Sequence, residues 1–425
     1  MAAGHGLAVC SRDRTPGRET TGSTMTTLDI DAGLTEEMKE VRELAHRFAA
    51  EVMRPAAAEL DRMSDPADVI APGSVLWDAF EKFKSLGIGD PEKYGAHLSP
   101  AERALLHAVV LEELCWGDIG LAISFELTDI MEPWAKGFGN EAAYEFFSKR
   151  DDIGCLALTE PDHGSDHVAF TEPTFSDPSI RAGCRARREG DDYVVNGQKA
   201  AWVSNGTIAT AAALMCTLED SADGLKGGIL LLLPLELPGV SRGTPLDKLG
   251  QRTLNQGEIF FDNVRVPAAF ALAEGPDAYA FVWETVLAVA NCAMAQQLIG
   301  VARAAYEHAL DYARERVQGG KPIIEHQSVK SRLFKMFTKV EAARSLARRT
   351  AVANAVNGVP YQYAAAAKVY CTQTAFEVAS DAVQIFGGNG LCREYPVEKL
   401  LRDARASMIE DGENELLGLM GGARL

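Results

Sequence analysis

The residues best suited to chemistry lie near the end of the sequence, in QIFGGNGLCREYPVEKLLRDARASMIED, from Gln384 to Asp411. Gly387, Gly388 and Gly390 let a ligand approach the backbone closely, and Gln384 and Asn389 supply side-chain donors and acceptors. A helix-forming run follows and ends on two acids, Glu410 and Asp411. A carboxylate held beside a bound cofactor is a candidate base, because desolvation raises its pKa and makes it a better proton acceptor. A helix start followed by a solvated acidic tail has the same composition, so the rest of the chain must decide.

Three other stretches are chemically specialised. In LALTEPDHGSDH a strand-like run ends at Thr159, and a proline turn leads to Gly164, Ser165 and Asp166, whose hydroxyl and N–H groups suit a ring edge or a phosphate. A surface turn is the plainer alternative. His163 and His167 have no third ligand following them, which argues against a metal. In KAAWVSNG, Trp202 and Ser204 share one face of a strand. An indole there can cover a planar ring while the hydroxyl bonds to it, although a tryptophan in a sheet also serves as core. In ARERVQGGKPIIEHQ a helix bearing Arg316 breaks at Gly319-Gly320, which suits a pyrophosphate; Arg314 and Lys321 equally fit a helix C-terminus.

The elements that must position these residues fall into three blocks. With 425 residues, 47% hydrophobic and 24% charged, the chain can bury a sizeable core and is expected to divide into domains. Residues 1–33 read as a disordered extension, 34–152 as a helical domain, 153–270 as an antiparallel β domain and 271–425 as a bundle of four helices. Met38, Val41, Leu44, Ala45 and Phe48 recur at helical intervals behind Thr35, a plausible N-cap. The short β-rich runs after Asp151 are bounded by Gly, Asn and Pro, and Asn196-Gly197 predicts a hairpin. Long amphipathic segments then return beyond Pro267.

Composition narrows the partners. A net charge of −18 argues against nucleic acid, whose phosphates require a surplus of Lys and Arg. The eight cysteines form no CxxC pair and read as reduced thiols of a cytoplasmic protein. No apolar run is expected to span a bilayer, since GGILLLLPLELPG is short and broken by proline. Neither a Walker-type GxxxxGK[ST] nor a strand-flanked GxGxxG occurs.

Taken in order, the four stretches resemble the acyl-CoA dehydrogenase family of flavoproteins. TEPDHGSD is similar to the family's TEPxAGSD and NGQKAAWVSNG to its NGxKxWITNG, while FFDNVRVP, EHQ, QIFGGNG and EYPVEKLLRDAR also have close equivalents. The resemblance covers the chain from about Leu34 onward. It implies an α+β multidomain fold, α,β-dehydrogenation of an acyl thioester such as acyl-CoA, and FAD as cofactor. It also implies an electron-transferring flavoprotein as acceptor, and a homotetramer or dimer of dimers in which a neighbouring subunit completes each site.

By motif match, Leu156, Thr159, Gly164 and Ser165 fall on positions around the flavin and its phosphates, and Trp202, Val203 and Ser204 on positions against the isoalloxazine. Arg316, His326, Gln327, the run Gln384, Ile385, Phe386, Gly387 and Gly388, and Glu413 match further cofactor positions, partly across the subunit interface. Ser165, Asn291 and Gly412 match substrate-binding positions.

The base is where the sequence departs from the pattern. The family's YEG tripeptide is Glu410-Asp411-Gly412 here, which puts Asp411 on the base position with an arm one methylene shorter than Glu. The alternative base position on the first long C-terminal helix holds Ala290, followed by Asn291 where Arg is common. Glu410 and Glu126, the latter an acid inside the apolar run LAISFELTDIM, are the other candidates. The same fold and cofactor would also serve β-elimination or flavin monooxygenation, or a non-catalytic subunit paired with an active homologue.

Overall fold

The computed structural model describes residues 33–89, 94–128 and 130–425. Most of the N-terminal extension therefore lies outside the described residues. Helices α1 (Glu36–Phe48), α2 (Arg54–Leu60), α3 (Pro66–Val69) and α4 (Val75–Leu86) are followed by α5 (Pro100–Gly117), α6 (Ile119–Glu126), α7 (Met131–Gly137) and α8 (Glu141–Phe147). Thr35 caps α1 as its sequence position predicts, accepting from the Met38 N–H at 3.2 Å. Met38, Ala45 and Phe48 are buried, with Val41 and Leu44 packed beside them. A capping box at Ser99 and Glu102 starts α5. Asp118 then caps α6 by accepting from the Leu121 N–H at 2.8 Å, and the Leu127 carbonyl just beyond α6 accepts from the Gly154 N–H at 2.9 Å.

The middle domain is one sheet of β1 (Gly154–Ala157), β2 (Arg185–Glu189), β3 (Asp192–Ser204), β4 (Ala211–Leu218), β5 (Gly228–Pro234), β6 (Val240–Arg242), β7 (Gln256–Pro267) and β8 (Ala271–Glu274). The strand order is β6-β7-β3-β2-β4-β5-β8, and β1 also pairs with β4. The pairings are antiparallel except at β4, which β1 and β2 join in parallel. Gly154 makes the entry of β1 possible, because a Cβ there would lie 2.4 Å from the Leu127 carbonyl just beyond α6.

Asn196-Gly197 is not a hairpin. The β2–β3 hairpin turns at Gly190-Asp191, and β3 runs straight through Asn196-Gly197, where its pairing with β7 shifts register in a bulge. Glycine is required at 197 because its φ is 128° and a Cβ would sit 2.5 Å from the Cys184 Cα. The Asn-Gly pair thus supplies backbone freedom within a long strand, a use that local turn statistics do not separate from a hairpin.

The C-terminal part holds α10 (Pro276–Glu315), α11 (Gln327–Asn357), α12 (Tyr361–Phe386), α13 (Val397–Ser407) and α14 (Asn414–Gly422), with the short α9 (Ser165–Val168) lying earlier in the middle domain. By length and composition α10 could cross a membrane, contrary to the expectation from the sequence, yet most of its apolar stretch is buried in the fold. Its first turns pack on the sheet, where the Trp283 indole donates to the Val168 carbonyl at 2.8 Å, and its later turns pack among the helices. One helix therefore links the two cores.

Candidate functional site

The turn between α13 and α14 contains Asp411 and Gly412, with φ of 50° and 98°. A Cβ on Gly412 would lie 2.5 Å from Leu417 Cδ2, so glycine is required twice over. Gly412→Ala is expected to cost about 1–2 kcal/mol from backbone conformation alone, with more from the contact, and a fall in thermal midpoint would show it.

Three side chains fasten this turn. Asn291 Nδ2 on α10 donates to the Asp411 carbonyl at 2.8 Å, and Tyr361 on α12 donates to Asn291 Oδ1 at 3.0 Å. Lys368, fully buried on α12, donates to the Gly412 carbonyl at 2.6 Å and to Asn414 Oδ1 at 2.9 Å. Asn291, expected against substrate, thus has both ends of its amide engaged and instead positions Asp411. Tyr361 and Lys368 were not singled out in the sequence, since each sits in an ordinary helical run.

The Asp411 carboxylate has no hydrogen-bond donor among the described residues, and the residue is open to solvent on one side. Protein surrounds its other sides closely enough for desolvation to raise its pKa, against the opposing pull of the Lys368 ammonium. Burial in turn lowers Lys368 to about 8.

Glu410 is differently placed. Gln251 Nε2 donates to it at 2.8 Å, and burial raises its pKa while nearby Lys248 opposes the rise. Lys248 bonds Gln256 Oε1 at 2.8 Å, and Gln256 Nε2 reaches Ser204 Oγ at 3.1 Å and the Trp202 carbonyl at 3.3 Å. Glu410 is therefore bonded by Gln251 and faces the charge of Lys248, whose own bonds run toward Ser204; unlike that of Asp411, its carboxylate is engaged.

Glu126 ends α6, with one carboxylate oxygen bonded by Gln297 Nε2 and the other 3.8 Å from His107 Nε2. Burial pushes it up to about 7, and the Asp411 charge adds to the shift, which puts the two carboxyls within electrostatic range. Between the unfolded value of 4.5 and about 7 the folded chain keeps a proton that the unfolded chain has lost, so stability falls as pH rises through that window. Urea unfolding across these pH values should show that slope, and Glu126→Gln should flatten it.

On the sheet side, the TEPDHGSD loop is tied to β3. The Ala200 N–H donates to the Thr159 carbonyl at 2.8 Å, and the buried Lys199 bonds the Leu158 carbonyl at 2.9 Å and Glu160 at 2.6 Å. The loop that carries Thr159 and Ser165 is thereby fastened to the strand that carries Trp202 and Ser204. Trp202 is 59% exposed and is not a core residue. Val203 turns its side chain into the core, which leaves only its backbone available, and Leu156 and Gly164 are half-buried. Past β3, Asn205 exchanges hydrogen bonds with Ser124 of α6 at 2.6 and 3.0 Å, latching the strand end to the helix that carries Glu126.

The remaining predicted residues lie at the far end of the bundle, where α10 and α12 end and α11 begins. Tyr312 stacks on Phe386 at 4.0 Å, and the Ile323 N–H donates to the Arg316 carbonyl at 2.7 Å. Arg316, Gln327, Gln384, Gly387 and Gly388 are exposed, and His326 is half-buried with Nε2 3.0 Å from the Gln318 carbonyl. Ile385 and Phe386 are buried, so their side chains pack the bundle and do not face a ligand. Glu413, also expected at the cofactor, spends its carboxylate on capping α14 through the Leu416 N–H at 3.0 Å. Lys368 and Phe386 are separated by roughly 27 Å along α12. A single chain therefore does not bring this group together with Asp411.

Family models described as the acyl-CoA dehydrogenase N-terminal, middle and C-terminal domains match residues 35–147, 155–264 and 281–425. The chain belongs to the acyl-CoA dehydrogenase family. It is 32% identical over 408 residues to a short-chain specific acyl-CoA dehydrogenase of Megasphaera elsdenii, covering 93% of this chain and 100% of that one. The structure of butyryl-CoA dehydrogenase from the same organism matches with a TM-score of 0.78 at 29% identity, over 92% of this chain and 98% of that one. A structure described as the electron transferring flavoprotein of Acidaminococcus fermentans matches with a TM-score of 0.79 at 27% identity, over 92% and 97%.

Against the family motif NGxKxW, this acyl-CoA dehydrogenase family member has one residue more, Ala200-Ala201, between Lys199 and Trp202. The β3–β7 pairing is irregular at this point: Lys199 pairs with Ile259 but Val203 with Gly257, a second bulge beside Trp202.

Proposed function

We propose that this protein oxidises an acyl thioester, an acyl-CoA, at its α,β bond with bound FAD, and that Asp411 removes the α-proton. The observation that carries the reading is the Asp411 turn: its carbonyl and that of Gly412 are fastened by Asn291 and Lys368, while the carboxylate has no donor among the described residues. FAD, when bound, supplies the acceptor for the β-hydride. The fit is supported by the exposed Trp202 indole beside Ser204 and by Gly387 and Gly388, where an added Cβ would meet nothing within 4 Å.

The chain's own residues have separate tasks. Asp411 holds the proton at its carboxylate, and the N–H groups of Asp411 and Gly412, which have no acceptor among the described residues, can polarise the thioester carbonyl. Trp202 and Ser204 offer a flat face and a hydroxyl to the ring, and Thr159 and Ser165, on the loop fastened to the same strand, offer further hydroxyls. Arg316, Gln327, Gln384, Gly387 and Gly388 serve a cofactor held mainly by a second copy, which accounts for their distance from Asp411 and calls for a homotetramer or dimer of dimers. An electron-transferring flavoprotein is the proposed acceptor.

The test is anaerobic addition of diverse acyl-CoAs to the isolated protein, followed by flavin absorbance. Bleaching by at least one acyl-CoA is expected; a protein that carries no flavin, or whose flavin no acyl-CoA reduces, would sink the reading. Lys368→Met should lower kcat about tenfold with little change in KM. It should also move the acid limb of the pH profile upward, because the charge that holds the Asp411 pKa down is lost. An unmoved profile would leave Lys368 a packing role only.

A further inference from the structure

We propose that the acyl group this site accepts carries a hydrogen-bond donor, a hydroxyl or an amine, at the end remote from the thioester, held by Glu126 and Gln297. The inference rests on the reading of the Asp411 turn as the place where the thioester is oxidised. It starts from AMAQQLIGVA in α10, where two consecutive glutamines interrupt an apolar run. Gln296 and Gln297 are 4% and 5% exposed, among the buried Met294, Leu298 and Ile299.

The bonding of these groups is one-sided. Gln297 Nε2 donates to Glu126, but the carbonyl oxygens of Gln296 and Gln297 are buried and have no partner among the described residues. A buried acceptor without a donor is destabilising, and that of Gln297 belongs to the side chain that bonds the Glu126 carboxylate, so acceptors exceed donors there. The Glu126 side chain is 20% exposed, so a ligand would reach the buried Gln297 carbonyl from the Glu126 side.

Its position relative to the chemistry follows from the same helix. Asn291, which holds the Asp411 carbonyl, lies six residues before Gln297, or roughly 9 Å along the axis. An acyl chain of several carbons spans that distance. An alkyl terminus arriving at Glu126 and Gln297 would leave the Gln297 carbonyl unpaired, whereas a hydroxyl or ammonium would satisfy it. Sites with buried polar groups reject analogues that lack the matching group, and a preference of about ten- to hundredfold is expected here.

The test uses Asp411→Ala holoenzyme, which lacks the proposed base, so that binding is read separately from oxidation. Calorimetric titration compares butyryl- to octanoyl-CoA with the same chains bearing a terminal hydroxyl or a terminal amine. The expected result is that, at one length, a donor-bearing chain binds at least about tenfold tighter than its alkyl match. Adding Gln297→Leu should reverse that order, and adding Glu126→Gln should abolish a preference for the amine but keep one for the hydroxyl. Equal or tighter binding of the alkyl chains at every length overturns the inference, whether or not the Gln297→Leu protein folds. Donor-selective binding with no flavin reduction in the unsubstituted enzyme would overturn the oxidation reading and leave this one standing.

Discussion

Asp411→Ala is expected to slow flavin reduction by acyl-CoA by about a hundred- to ten-thousandfold, the range for loss of a positioned general base. Binding of acyl-CoA should change little, since the turn is fastened through backbone carbonyls that the substitution keeps. Single-turnover bleaching measures the first quantity and titration of the oxidised protein the second. Asp411→Glu is the sharper comparison. The backbone at 411 is left-handed, a conformation Asp adopts more readily than Glu, and the added methylene moves the carboxylate by about 1 Å, a misplacement that can cost about a hundredfold. A loss of that order is expected in Asp411→Glu, and a gain would mean that the shorter side chain is not matched to the substrate.

Glu126 provides the control for that experiment. Its pKa of about 7 would suit a base, but its carboxylate is already engaged by Gln297 and lies near His107, whereas that of Asp411 is not engaged. Glu126→Gln is therefore expected to retain flavin reduction within about tenfold, far above the loss in Asp411→Ala. Abolished reduction in Glu126→Gln with reduction preserved in Asp411→Ala would transfer the role of base to Glu126.

Parts of this site were legible because their chemistry is local. The glycines at 387 and 388, the Trp202-Ser204 spacing and the Glu410-Asp411-Gly412 tripeptide can each be recognised within a few residues. The order of helical, β and helical blocks follows from hydrophobic period, and the Thr35 cap from one residue and its position. What could not be read depends on packing between distant segments. Asn291 reaches Asp411 across 120 residues and Lys368 reaches Gly412 across 44, and no local pattern distinguishes those side chains from helix surface. The bulges at Asn196-Gly197 and before Trp202 were hidden for a related reason: the β7 strand that defines both lies far along the chain. Burial of Phe386 likewise follows from Tyr312 stacking on its ring, which the QIFGGNG motif does not reveal.

The largest stability effect is expected far from the base, where α5, α10 and α11 meet. Arg303 is 1% exposed and donates to Glu112 and Glu113, with Nη1 at 2.9 Å from each. Arg344 and Arg348 on α11 also bond Glu112, at 3.0 Å each. These arginines hold the Glu112 carboxyl well below the usual carboxylate range, although burial alone would raise it. Its contribution to stability is therefore present above the ordinary carboxylate pKa and is lost only as pH falls through its depressed folded value. Glu112→Gln leaves three arginines facing an uncharged amide, and removing one partner from a buried ion cluster costs about 3–5 kcal/mol. A urea unfolding series at neutral pH should show a loss of that size, while Asp78→Asn, which breaks a solvent-exposed pair with Lys82, should change little. Similar small losses in both variants would mean that water reaches the Glu112 cluster and screens it. A large loss in Glu112→Gln alone would show that the N-terminal and C-terminal helices are joined through buried charge. Replacing Glu112 and Arg344 together by leucine should recover only part of the loss, because Arg348 would still lack its Glu112 partner and Arg303 would be left with Glu113 and Glu307 among the described residues.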